Sequence, residues 1–152
     1  MRPGRGAPEV RRILVDGRNV QRALGRATGT GASGTGASPD DRVFTSLVLA
    51  AVPPEAVTEL LLDGFPSGGV VGRIGPRLRV EYTKGRSADL RIAELVQAAA
   101  AELGPIGVDG VLVVSDDREV GDQARSHGAR VVGTAWLTGR IRGGPPSGPM
   151  PS

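Results

Sequence analysis

The sequence predicts an α/β domain, a mostly parallel sheet sandwiched between helices. Three observations carry that expectation. Short apolar runs such as ILV at 13–15 and VLVVS at 111–115 have the β-branched and leucine content of strands covered on both faces. Segments with apolar residues at helical spacing alternate with these runs, and that order favours parallel strands joined by right-handed crossovers. A chain of 152 residues holds one domain with a real core and is too short for two comfortable ones.

Taken in order, residues 1–11 hold Arg, Gly and Pro with little to bury, and 143–152 repeat that character. Both are expected to be disordered tails around a domain at 12–142. The first strand is Arg12 to Asp16, closed by Asp16-Gly17, and a short helix from about Asn19 to Leu24 follows. Residues 25–39 (GRATGTGASGTGASP) carry no carboxylate and no large apolar side chain, so a flexible loop is expected. Ser38-Pro39-Asp40-Asp41 then offers an N-cap, a proline at the first helical position and acids in the first turn. Val43, Phe44, Leu47, Val48 and Ala51 form the inward face of this helix, and Pro53-Pro54 ends it.

A second strand spans Val57 to Asp63, again closing in Asp-Gly. Gly, Pro and Ser dominate 64–77, and a third strand fits Leu78 to Tyr82. Ser87 caps the longest helix, which is expected to bury Ile92, Leu95, Val96, Ala99 and Leu103. Strand Val111 to Ser115, helix Arg118 to His127 and strand Ala129 to Gly133 complete the alternation, and Trp136-Leu137 packs a last turn onto the sheet.

Composition narrows the chemistry. There is no cysteine, which excludes a disulfide framework, a thiolate zinc site and a cysteine nucleophile. The single histidine, His127, precedes Gly128 at a predicted helix end, where it serves the last carbonyls. Metal chemistry must therefore rest on carboxylates, whose oxygens suit Mg²⁺ or Mn²⁺. A net charge of +3 and a pI near 10.5 are compatible with acidic partners. No apolar run reaches the roughly 18 to 20 residues that span a bilayer, and no signal-peptide core follows the N-terminal arginines. A cytoplasmic protein is expected, with no membrane partner.

Asp16, Asp89 and the Asp116-Asp117 pair fall where strands end or the next helices begin, and in a parallel sheet those ends share one rim. Two unit charges about 4 Å apart at an effective dielectric near 20 repel by roughly 4 kcal/mol. Converging acids therefore call for a divalent ion or a shared proton. Each has a structural alternative: a turn for Asp16, the helix dipole for Asp89, a cap for Asp116 or Asp117. Independent caps have no reason to gather on one edge. Asp63 also ends a strand and is a candidate for the outer shell of such a site, with a turn its favoured role. Arg18, Arg22, Lys84, Arg86 and Arg118 flank the acids in sequence and can hold phosphates. Aromatic residues are only 3%, so base stacking and sequence reading are expected to be slight.

These residues resemble a known family. ILVDGRNV at 13–20 looks like the first motif of the NYN domains of the PIN-like nuclease superfamily, SADLRIAELV at 87–96 is similar to their middle motif, and VLVVSDDREVGDQARSHGARVVG at 111–133 looks like their last. Order and spacing agree over nearly all of 12–142. The resemblance implies a three-layer PIN-like (Rossmannoid) fold and a metal-dependent ribonuclease, a hydrolase and in its simplest form an endonuclease. In it, acids hold Mg²⁺ or Mn²⁺ against an RNA phosphodiester. Carried over by position, Asp16 binds metal with Asn19 hydrogen-bonding nearby, Asp89 is the second ligand, and Asp117 falls on the family's last acid. Asp116 takes a position often small or amide-bearing, and Glu119 a further acidic place; which of these three touches metal stays open. Two departures are the glycine-rich loop at 25–39 and Arg18, where related sequences often carry an uncharged or aromatic residue.

The rival readings are weaker. GTGASG at 29–34 matches the dinucleotide fingerprint but lacks a strand immediately before it and a helix immediately after, so no nucleotide cofactor is expected. No Gly-Lys-Ser/Thr follows to make a phosphate loop. A non-catalytic RNA-binding or protein-interaction module with the same fold is the leading alternative, and acids at all three motif positions speak against it. A structure-selective DNA nuclease ranks lower, because the chain has no evident duplex-binding insertion. A homodimer is compatible with all of these.

Overall fold

Side chains alternate faces along a strand, and residues 12–16 use that rule to seed two cores. Ile13 and Val15 join one apolar cluster, with Val20, Phe44, Val48 and Leu137. Leu14 joins the other, with Leu61, Ile92, Val96 and Val120. By the same alternation Asp16 shares a face with Leu14.

The computed structural model describes residues 9–28, 40–66 and 71–143. Its elements are β1 (Arg12–Asp16), α1 (Gly17–Thr28), α2 (Asp41–Ala51), β2 (Val57–Leu62), β3 (Gly72–Ile74), β4 (Leu78–Tyr82), α3 (Ala88–Val108), β5 (Val111–Val114), α4 (Arg118–Ser126), β6 (Arg130–Val132) and α5 (Thr134–Gly143). Among the described residues six strands form one sheet in the order β3-β4-β2-β1-β5-β6. All neighbours run parallel except β3, which pairs antiparallel with β4. Helices α1, α2 and α5 cover one face, and α3 and α4 cover the other. The chain moves outward from β1 through β2 to β4, then crosses back to β5 on the other flank of β1. The switch point thus lies between β1 and β5, where open α/β sheets place their ligand crevice.

Several expectations are corrected. Helix α1 is longer than 19–24, because the Asn19 N–H finds the Asp16 carboxylate at its start and Gly25 is buried rather than looped. Residues 29–39 of the expected loop, and with them Ser38 and Pro39, lie outside the described residues, as do 1–8 and 144–152. Asp40 is the cap of α2, its side chain accepting from the Val43 N–H at 2.9 Å. Val43 is 49% exposed and Thr45 takes its place inside, donating its hydroxyl to the Asp41 carbonyl at 2.7 Å. Val10, placed in a tail by composition, is buried against the core. Strand β3 was not expected; at three residues in a glycine-rich stretch it leaves no periodic signal. Ser87 caps α3 as expected, but Leu103 is 50% exposed. Pro105 cannot continue the helix and disfavours helical geometry in its predecessor, so Gly104 turns to φ 76° and α3 breaks there. The expected last turn around Trp136-Leu137 is the ten-residue helix α5, with Leu137 buried and Arg140 stacked 4.9 Å from the Trp136 ring.

The β1–α1 junction is the tightest point of the frame. A Cβ at Gly17 would lie 2.5 Å from Leu62 Cδ2 and 2.7 Å from the Leu61 carbonyl oxygen. The backbone oxygen cannot yield, so Gly17→Ala is expected to destabilise the fold by about 2 kcal/mol or more, measured by urea titration against wild type.

Candidate active site

Asp16, at the C-terminal end of the central strand, is only 5% exposed. Its carboxylate accepts from the Ser115 hydroxyl at 3.2 Å and from the Asn19 backbone N–H. Burial is the largest influence on it and pushes its pKa up to about 6; the Ser115 bond works against that rise, and the charges of Asp89 and Asp63 add to it. Ser115, just past β5, also accepts from the Asp117 N–H at 3.0 Å, so one hydroxyl links the ends of β1 and α4.

Asp89 occupies the second position of α3 and is half-buried. Its pKa is raised, first by burial and then by Asp117, Asp63 and Glu119. Every charge that acts on it is negative, and its carboxylate has no hydrogen-bond partner among the described residues. Asp63, favoured above as a turn residue, belongs to this group. It acts on both Asp16 and Asp89, and its Oδ1 accepts from the Ala88 N–H at 2.6 Å and the Thr83 hydroxyl at 3.3 Å. The signal was present in the sequence, since Asp63-Gly64 closes β2 as Asp16-Gly17 closes β1.

The adjacent aspartates part company. Asp117 caps α4, its Oδ1 accepting from the N–H groups of Glu119 at 2.9 Å and Val120 at 3.1 Å. Asp116 turns to α5 and accepts from the Thr134 N–H at 2.9 Å and the Thr134 hydroxyl at 2.6 Å, bonds that lower its pKa. Gly133 makes room for it, because a Cβ there would meet Asp116 Oδ1 at 2.7 Å. Asn19 steadies the same loop, its Oδ1 accepting from the Asp116 N–H at 2.9 Å. Glu119 is exposed beside Asp89, and the two share a recess of about 160 Å³ with Leu90, Ala93, Val120 and Gln123.

The basic residues named from the sequence divide as well. Arg18 is engaged inside the fold, paired with Asp41 at 2.7 Å and donating from Nε to the Asp63 carbonyl at 3.0 Å. Burial opposes ionisation of Asp41, but hydrogen bonds from Arg18, Gln21 and Tyr82 outweigh it and lower its pKa. Arg86 pairs with Glu94, while Arg22, Lys84 and Arg118 are exposed.

No three of the described carboxylates and histidine stand close enough together, as placed, to ligate one ion. In kind the donors do fit a hard divalent cation: oxygen ligands, no thiolate, and acids whose electrostatic neighbours are acids. His127 is remote from this chemistry, forming the C-cap of α4.

No protein-family model matches the chain, and no curated protein matches it in sequence. A solved structure does: a mutant form of Rae1 (YacP) from Bacillus subtilis superposes with a TM-score of 0.56 over 88% of this chain and 76% of that one, at 19% sequence identity. The fold is PIN-like. At that identity the likeness concerns architecture alone.

The buried Asp16 charge has a measurable consequence. Its folded pKa lies above the unfolded one, so its contribution to stability is full below about pH 4 and is lost as pH rises through about 6. In chelator at pH 8, Asp16→Asn is therefore expected to melt higher than wild type, by a margin equivalent to roughly 2–3 kcal/mol that shrinks toward pH 4. A variant melting lower at pH 8 would mark Asp16 as a structural acid.

Proposed function

We propose that this chain is a metal-dependent phosphodiesterase that cleaves RNA, acting as an endoribonuclease at the C-terminal rim of the sheet. The observation that carries the reading is Asp89: a half-buried carboxylate with no hydrogen-bond partner among the described residues, disfavoured as an anion first by burial and then by the other acids around it. An acid in that state is costly in the free protein and is favoured by a cation. The PIN-like fold and the three sequence motifs support the same reading.

Asp16 and Asp89 are the proposed ligands, with Asp117, Glu119 and Asp63 closing the negative rim around them. Asp116 would contribute through α5, which its carboxylate holds. Bound Mg²⁺ or Mn²⁺ supplies charge neutralisation at the phosphate and a water acidified enough to attack near neutral pH. Ser115 orients Asp16 through its hydroxyl and keeps the first turn of α4 in register with β1. Asp63 fixes the start of α3 through the Ala88 N–H, and so fixes Asp89. Among the exposed cations, Arg22, Lys84 and Arg118 are available to phosphates on either side, and Arg86 becomes available if it leaves Glu94. No helix among the described residues is long and apolar enough to cross a membrane, and the proposed setting is the cytoplasm.

One observation favours a second reading, a non-catalytic RNA-binding module: the acids stand apart rather than converged on one point. Purified protein incubated with single-stranded RNA, structured RNA and matched DNA, each with Mn²⁺, Mg²⁺ or chelator, separates the two. RNA cleavage that requires the ion is expected. Asp89→Asn is expected to lower it about 100-fold or more, with the melting temperature retained. Cleavage indifferent to chelator would overturn the metal dependence, and cleavage absent from every lane would leave the binding module standing. Asp116→Ala is expected to behave differently, losing about 1 kcal/mol of stability with the cap while keeping most of the cleavage.

A further inference from the structure

The sheet has one edge where positive charge is left without a partner. Strands β3 and β4 pair antiparallel in a register that sets Arg73 directly opposite Arg79, and both side chains are exposed. Residues so opposed have Cβ atoms roughly 4.5–5.5 Å apart, and like charges there are destabilising. Arg77, in the turn between the strands, keeps its Nη1 buried with no hydrogen-bond partner. Among the described residues none of these arginines forms an ion pair. Four other arginines are compensated, Arg12 by Glu59, Arg18 by Asp41, Arg91 by Glu81 and Arg130 by Asp109. Arg22 and Arg118 are exposed without an ion pair among the described residues, but neither faces a second arginine across a strand pair. Charge on an edge strand also discourages edge-to-edge pairing. One arginine would do that, without two being set face to face.

Resting on the ribonuclease reading above, we infer that the β3–β4 edge is an RNA-binding surface, where Arg73 and Arg79 hold the phosphate backbone of substrate leading into the acidic rim. Guanidinium groups match phosphate oxygens in geometry and stay charged at any working pH. A phosphate chain lying across Arg73 and Arg79 offsets their mutual repulsion. The direction fits as well. Strand β4 runs parallel to β2, so beyond Arg79 it climbs toward the end of the sheet where Asp63 and Asp89 lie. From Arg79 to Tyr82 is about 10 Å at the usual strand rise. The chain then passes Lys84 and Arg86 before Ser87 caps α3. A single strand of RNA laid along this edge passes Arg73 and Arg79, then Glu81, whose charge Arg91 offsets as Arg12 offsets that of Glu59 beside Arg79, and reaches the unpaired acids of the rim last.

The test measures binding with cleavage switched off. Anisotropy of an end-labelled, unstructured RNA of about 20 nucleotides is followed in chelator, for the wild-type chain, for the R73A/R79A double variant, and for a charge-matched control, R11A/R142A. The expected result is a Kd raised at least about tenfold by R73A/R79A, with the slope of log K against log salt reduced by about 1.4, the loss of two single-strand phosphate contacts. The control should show a clearly smaller change in both. Equal affinity in R73A/R79A, an equal loss in the control, no RNA binding by wild type, or tighter binding of an acidic polypeptide than of RNA would each overturn the inference. Cleavage of a small chromogenic phosphodiester with Mn²⁺, too short to touch the edge, distinguishes the two readings. A wild type that binds RNA through this edge but cleaves nothing defeats the nuclease reading alone. If R73A/R79A binds and cleaves long RNA as wild type does, the edge is defeated and the nuclease stands.

Discussion

The structure turns on one buried charge. Asp16 sits at the end of the central strand with almost no exposure, on the face where α3 and α4 begin. Its neighbours are arranged as much to hold it as to hold each other. Gly17 lets the chain leave the strand at once into α1, Ser115 reaches across from β5, and the first turn of α1 offers the Asn19 N–H. These bonds make burial tolerable without neutralising the charge. Asp63 and Asp89 add repulsion where a structural acid would have been given a cation.

The surrounding acids divide their oxygens between fold and site. Asp117 uses Oδ1 twice at the start of α4, and Asp63 uses Oδ1 twice at the start of α3. No described hydrogen bond takes the second oxygen of either. The caps thus act as brackets: each orients a helix with one oxygen and leaves the other without a described hydrogen bond. A structural role and a chemical one are not alternatives for such a residue. Arg18 fits the same logic from the other side, since its guanidinium ties Asp41 of α2 to the carbonyl of Asp63. Tyr82 completes that tie by donating to Asp41, and burial together with this bond pushes its pKa up to about 12.

The strands were legible because a strand buried on both faces has little choice of residue: ILV at 13–15, LLL at 60–62 and VLVV at 111–114 leave no other economical fold. A cap written into the chain, such as Ser87, was legible for the same local reason. What could not be read depended on partners distant in sequence. Nothing near Arg18 foretells Asp41, and nothing in Asp116-Asp117 says which aspartate will find Thr134 and which will face α4. The full length of α1 could not be read, because residues 25–28 carry no apolar period. Strand β3 exists only because β4 offers it an edge to pair with.

The break in α3 at Gly104-Pro105 carries a consequence for how this chain tolerates change. An unbroken helix links the angular phase of its two ends, so one inserted residue would swing the far end by about 100°. Here the segment beginning at Ala88 and the segment entering β5 are joined through a glycine at positive φ instead. A length change between Leu103 and Val108 can be taken up at that joint, leaving the strand that ends beside Ser115 and the helix that presents Asp89 each in its own rotation.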